Sequence, residues 1–158
     1  MQTDATLSIR PYRPDDLDAV IAIFLGAIRQ VASRDYTPAQ IDAWAQADRG
    51  VWAVRRLSRP TWVAAIGGAA AGFTDLEPDG HLDMMFVHPA HQRIGVASAL
   101  LATVEAAARA QGLARIFTEA SLTARPFFAR HGFSVAAARV VEKRGQMLRN
   151  FRMIKILP

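Results

Sequence analysis

The sequence predicts a mixed α/β or α+β fold, a sheet with helices on its faces. Three observations predict it. Apolar residues recur at helical spacing in some segments and run in short, β-like stretches in others. Gly- and Pro-bearing turns separate the β-like stretches. The elements follow closely on one another, with no repeat, low-complexity tract or linker, so one domain spans residues 1–158.

Taken in order, Thr6–Arg10 is a short β-like run that Pro11 and Pro14 end. Asp15-Asp16 then starts a helix, because acidic groups oppose the positive helix end. Leu17, Val20, Ile21, Phe24, Ile28 and Val31 keep its apolar face. Thr37-Pro38 is a second start, a cap followed by proline at the first helical position, and this helix carries Ile41 and Trp44. Thr61–Ile66 and Ala69–Leu76 read as a hairpin about Gly67-Gly68. Glu77-Pro78-Asp79-Gly80 is the next turn, and His81–Val87 the next strand. A loop, His88–Gly95, leads into a strong helix, Val96–Gln111, which Gly112 stops. Ile116–Ala120 is a strand and Thr123–His131 a short helix ended by Gly132. Phe133–Val141 and Gln146–Leu157 close the chain as a strand pair around Lys143-Arg144-Gly145.

Composition excludes several chemistries. The chain has 158 residues and no cysteine, so there is no disulfide, thiolate metal site or cysteine nucleophile. Met1–Ser8 lacks an apolar signal core, and no apolar stretch is long enough to span a bilayer. The expected location is the cytoplasm, without a membrane partner. Net charge is +5, which suits an anionic partner. The arginines are scattered, a solvated surface rather than a nucleic-acid patch, so no nucleic-acid partner is expected. Gly67-Gly68-Ala69-Ala70-Ala71-Gly72 satisfies a dinucleotide fingerprint literally. That motif must open a helix, and the segment after Gly72 is too short and turn-rich for one.

The chemistry concentrates in Met85-Phe86-Val87-His88-Pro89-Ala90-His91-Gln92-Arg93-Ile94-Gly95-Val96-Ala97. A strand runs into a loop that opens a long helix. Small residues leave backbone N–H groups exposed, and the helix start adds partial positive charge, which together suit a pyrophosphate. Gln92-x-x-Gly95-x-Ala97 resembles the acyl-CoA signature Q/R-x-x-G-x-G/A of the GNAT (GCN5-related N-acetyltransferase) superfamily. Downstream, Ser121-x-x-Ala124-x-x-Phe127-Phe128-x-x-x-Gly132-Phe133 resembles the family's next element at the same spacing. Arg10-x-Tyr12-x-x-Asp15 is also common there. Glu119-Ala-Ser121 followed by Arg125-Pro-Phe-Phe resembles the bacterial YafP-like branch.

The resemblance implies a GNAT-like fold with a central, mostly antiparallel sheet and helices on both faces. It implies acetyl-CoA as cofactor and acetyl transfer to a primary amine, on a small molecule or a peptide, in a direct ternary complex. The pantetheine arm would pair with the strand Met85, Phe86 and Val87. The pyrophosphate would sit on the amides of Gln92, Arg93, Ile94, Gly95, Val96, Ala97 and Ser98. An amide near Met85 or Phe86 would polarise the thioester. Ser121, Ala124, Phe127 and Phe128 would flank the arm. Homodimers are common in the superfamily, and one is open here.

An amine nucleophile must shed a proton, so a base is expected. His81 and Asp83 are two apart in an expected strand and would share a face. His81 and Asp83 match two histidine positions in the serotonin N-acetyltransferase branch, and His81 also matches the glutamate base of the histone-acetylating branch. Glu119 is the other carboxylate near the expected thioester. The family's tyrosine general acid falls at Phe128, which has no proton to give. Tyr36 and Tyr12 are the only tyrosines, and Tyr36, which precedes the Thr37-Pro38 helix in a region that shapes the acceptor site in the family, is then a candidate donor. The missing tyrosine also motivates a second reading, a non-catalytic acyl-CoA-binding module. Trp44 is either core or acceptor-pocket wall. His88, His91 and His131 read as surface residues, and no histidine–carboxylate spacing makes a metal site.

Overall fold

A computed structural model describes residues 6–158; Met1 to Ala5 lie outside the described residues. Strand β1 (Leu7–Pro11) is followed by α1 (Leu17–Gln30), α2 (Pro38–Trp44) and α3 (Arg49–Leu57). Strands β2 (Thr61–Ile66), β3 (Ala69–Asp75) and β4 (Met85–Val87) come next. Then follow α4 (Val96–Ala110), β5 (Arg115–Ser121), α5 (Arg125–Arg130), β6 (Ser134–Lys143) and β7 (Gln146–Ile156).

The strands form two antiparallel sheets, ordered β1-β2-β3-β4 and β5-β7-β6. They meet at a parallel bridge between His81 and Phe117. Leu82 N–H donates to Phe117 O (2.9 Å) and Phe117 N–H to Gly80 O (3.0 Å). Beyond this joint β4 and β5 part, and the wedge between them is the main cleft.

Helices cover both faces of the first sheet. On one side Val63 and Phe73 pack with Val20, Phe24 and Ile28 of α1 and Trp52 of α3. On the other, Ala64 and Ala71 pack with Val96 and Leu100 of α4. Gly72 lets α4 approach this closely, since a Cβ there would lie 2.9 Å from Val96 Cγ1. A third apolar cluster joins α4 and α5 to the second sheet through Leu101, Val104, Ile116, Phe128, Phe133 and Met153.

Two expectations need correction. The expected strand His81–Val87 is regular only over Met85–Val87. Side chains take the place of ladder bonds before it. Asp75 Oδ1 accepts from the N–H groups of Asp83 and Met84, each at 2.9 Å. Thr74 and Thr118 hydroxyls donate to Met84 O and Leu82 O, each at 2.8 Å. The other correction is α3, which the apolar pattern does not predict. Its buried face is Trp52 and Arg56, while Val51, Val54 and Leu57 are exposed. Asp48 caps it, accepting from Val51 N–H at 3.0 Å. Arg56 is fully buried, 3.0 Å from Asp75 and near the rings of Trp52 and Phe73. Among the described residues no helix is long and apolar enough to cross a membrane.

Candidate active site

The wedge between β4 and β5 holds a cleft of about 750 Å³. Met85, Phe86, Val87, Gln92, Arg93, Gly95, Val96, Ala97, Ser98, Ser121, Ala124, Phe127 and Phe128 all line it. Ile94 does not, and its side chain points to solvent at 59% exposure. Its backbone remains part of the loop.

Gly95 sits at the N-cap of α4 with φ +90°, in the left-handed region. A Cβ at this position would meet nothing within 4 Å, so conformation rather than space calls for glycine. Arg93 also has positive φ, +62°. The amides from Gln92 to Ser98 have no protein acceptor among the described residues, as at helix starts generally, and so are free to meet water or an anion. The Gln92 side chain serves the loop itself, because its Nε2 donates to Val87 O at 2.9 Å and ties the loop to the end of β4. His131, read from sequence as a surface residue, also lines the cleft. Its Nδ1 meets Phe127 O at 2.8 Å and its Nε2 meets Ser98 Oγ at 3.2 Å, joining α5 to the start of α4.

Strand β4 pairs with β3 along one edge only. Asp75 N–H donates to Met84 O and His88 N–H to Ala71 O, which makes 84, 86 and 88 the bonded positions in an antiparallel ladder. The Phe86 amide is therefore committed to β3. The Met85 and Val87 backbone groups face the wedge, and of the two amides considered for the thioester only Met85 N–H is free to serve.

A second cavity, about 460 Å³, adjoins the first. Trp44, Asp83, Phe86, Glu119 and Ser121 line both. Trp44 thus forms a wall between the cavities as well as packing on Tyr36 and Phe86. His81 lines the second only.

His81 lies flat on Phe117, with ring centroids 4.9 Å apart. Its Nδ1 meets Glu77 Oε1 at 2.8 Å and its Nε2 meets Glu119 Oε2 at 2.5 Å. Burial alone would push the imidazole down, but the bonds to Glu119 and Glu77 override it and hold its pKa above the ordinary histidine value. The other Glu119 oxygen is 3.6 Å from Arg139. Asp83 comes close to His81 and Glu77, although not through the strand geometry expected of it. These three could be mistaken for metal ligands. Arg59 already stands among them, 2.9 Å from Glu77 and 3.3 Å from Asp83, so the negative charge has its counter-ion.

Tyr36 is not poised as a donor. Its hydroxyl donates to Arg149 O at 2.7 Å and accepts from Leu122 N–H at 3.0 Å. Burial raises its pKa further. Phe128 is buried against Phe127 and Phe133. Ser121 Oγ accepts from Ala124 N–H at 3.0 Å and fixes the turn into α5.

A family model described as an acetyltransferase (GNAT) domain matches residues 32–156. The uncharacterized N-acetyltransferase YafP of Escherichia coli (strain K12) is 39% identical over 147 residues, covering 93% of this chain and 94% of the relative. A crystal structure of a GCN5-related N-acetyltransferase from Rhodopseudomonas palustris superposes with a TM-score of 0.92 at 34% identity, covering 99% of each chain. The protein yncA from Salmonella typhimurium, solved with its cofactor acetyl-CoA, shares the fold at a TM-score of 0.74 and 20% identity, covering 98% of this chain and 95% of that one.

Proposed function

This chain belongs to the GNAT acetyltransferase family, and on that footing we propose that it transfers an acetyl group from acetyl-CoA directly to a primary amine. The observation that carries the reading is one continuous surface. Unpaired loop amides lead to the free edge of β4, and that edge leads to carboxylates shared with a second cavity.

Acetyl-CoA, when bound, supplies an acetyl thioester whose carbonyl carbon an amine can attack. The amides of Gln92 to Ser98, the start of α4 and the Arg93 charge would hold its pyrophosphate. Met85 and Val87 would pair with its amide-bearing arm, and Phe127, Phe128 and Ala124 would flank it. Met85 N–H would stabilise the oxygen on which negative charge grows.

The amine would enter from the second cavity. Asp83 and Glu119 would hold it there, since both line the two cavities. As the nitrogen of the neutral amine bonds to the acetyl carbon it would lose a proton, and Glu119 would take it. His81 would receive that proton through the 2.5 Å contact and be stabilised as imidazolium between Glu119 and Glu77. The competent form is thus a Glu119 carboxylate beside a neutral His81. As the carbon–sulfur bond breaks, the thiolate would leave without a proton from Phe128, which has none to give. A thiolate is a good enough leaving group for this, its pKa being about 8.5.

The test is thiol release from acetyl-CoA across a panel of amines. The chain has no cysteine, so all new thiol comes from coenzyme A. Amine-dependent release supports transfer. Tight acetyl-CoA binding with no release from any amine would favour the non-catalytic acyl-CoA-binding reading, for which Phe128 is the motive.

A further inference from the structure

We propose that the acceptor amine carries an anionic group, carboxylate or phosphate, at its far end. This rests on the acetyl-transfer reading and names the class of molecule that the second cavity takes. The cavity carries both signs of charge. At its inner end, Asp83 and Glu119 border the cofactor cleft and offer acceptors for the N–H groups of a neutral amine. The rest of its wall carries Arg55, Lys143, Arg144 and Arg149, and Arg139, which reaches toward Glu119. All five are exposed. Arg139 leans 3.6 Å from Glu119, and the other four meet no carboxylate at ion-pair distance among the described residues. Arg144 is fixed in place, its Nη1 donating to Ala43 O at 2.7 Å.

The walls are also aromatic, with Phe24, Trp44, Trp52 and Phe86 among the lining residues. Asn150 adds a specific acceptor. Its Oδ1 is buried without a hydrogen-bond partner. Asn150 stands opposite Ser121 on one side and Arg139 on the other, so the three share one face of the second sheet. An N–H on the acceptor would satisfy it. A polyamine would bring further positive charge against the basic residues of the wall. An amine with an apolar middle and a distal anion matches every part.

Three matched acceptors test this: 2-(4-methylphenyl)ethylamine, 4-(2-aminoethyl)benzoate and tyramine O-phosphate. Each is compared by kcat/KM where it turns over, and otherwise by Kd in the presence of coenzyme A. At low salt at least one anionic acceptor should be favoured by about fivefold or more over the neutral one, as expected for a few exposed ion pairs. The advantage should shrink as salt rises. Whether the benzoate or the phosphate gains more tells which anion is meant. The double variant R55E/K143E should abolish the preference while the Kd for acetyl-CoA stays as it was. Equal values for the three acceptors, with acetyl-CoA still binding, would overturn the anionic-acceptor inference and leave acetyl transfer standing. Failure to bind acetyl-CoA would overturn both.

Discussion

Glu119 Oε2 lies 2.5 Å from His81 Nε2, and the far nitrogen of the same ring is held 2.8 Å from Glu77. A histidine between two carboxylates is a place to put a proton, not a free base. On the mechanism proposed above, Glu119 would touch the amine, and His81 would position it and store the proton. Glu119→Gln and His81→Gln should each lower kcat by about 10²- to 10⁴-fold, the usual yield of acid–base groups. Acetyl-CoA affinity, read by titration of each variant, should stay close to wild type. A variant that keeps full kcat would remove its residue from the proton path.

The same pair sets a pH dependence. The raised His81 pKa means that the protonated, incompetent form persists above the ordinary histidine value of about 6.5. Activity should therefore climb on the alkaline side of that value, as His81 gives up its proton. His81→Gln should erase this limb from the kcat profile and leave any limb due to the amine itself.

Linkage gives a second, independent reading of His81. A group whose folded pKa is raised stabilises the fold fully below its unfolded pKa, and the gain is lost as pH rises through the folded value. The gap in Tm between wild type and His81→Gln should be widest below about pH 6 and close at alkaline pH. A gap that widens with pH would reverse the assignment.

Tyr36 bridges two backbone groups, Arg149 O and Leu122 N–H. Tyr36→Phe leaves both without a partner and should cost about 1–3 kcal/mol in denaturant unfolding. Its kcat should fall by less than tenfold. A loss of a hundredfold or more with unchanged stability would make Tyr36 the acid after all.

Arg56 and Asp75 form an ion pair with no exposure on either side chain. Burial raises the Asp75 pKa and the Arg56 charge opposes that rise. Asp75 also holds the N–H groups of Asp83 and Met84, so the pair sets where β4 begins. Arg56→Leu strands a buried carboxylate and should destabilise the protein by about 3–5 kcal/mol in denaturant titrations. A cost below about 1 kcal/mol would mean that water or a rearranged Arg59 replaces the pair.

The loop and cleft proposed for the cofactor are legible because they are written in local sequence. Gly95, Ala97 and the strand-loop-helix order lie within a dozen residues, and backbone geometry does the work. The acid–base cluster was only partly legible. His81 and Glu119 are far apart in sequence and meet because β5 pairs with the segment before β4, which no local pattern encodes. Glu77 reads in sequence as a turn residue for the same reason. Helix α3 was missed because its polarity is inverted, with an arginine inside and Val54 and Leu57 outside. The strand expected from His81 was cut short by side-chain hydrogen bonds from distant Thr74, Asp75 and Thr118, which periodicity cannot register.

The central claim is that the loop around Gly95 binds acetyl-CoA, and calorimetric titration of acetyl-CoA into wild type and Gly95→Val tests it most directly. A β-branched residue at φ +90° is strained by about 1–3 kcal/mol and should turn the loop amides away. Saturable binding is expected for wild type and at least a tenfold weaker Kd for the variant, with the circular-dichroism spectrum of the fold retained. Equal affinity in the two proteins, or no heat at millimolar acetyl-CoA with wild type, would contradict the claim.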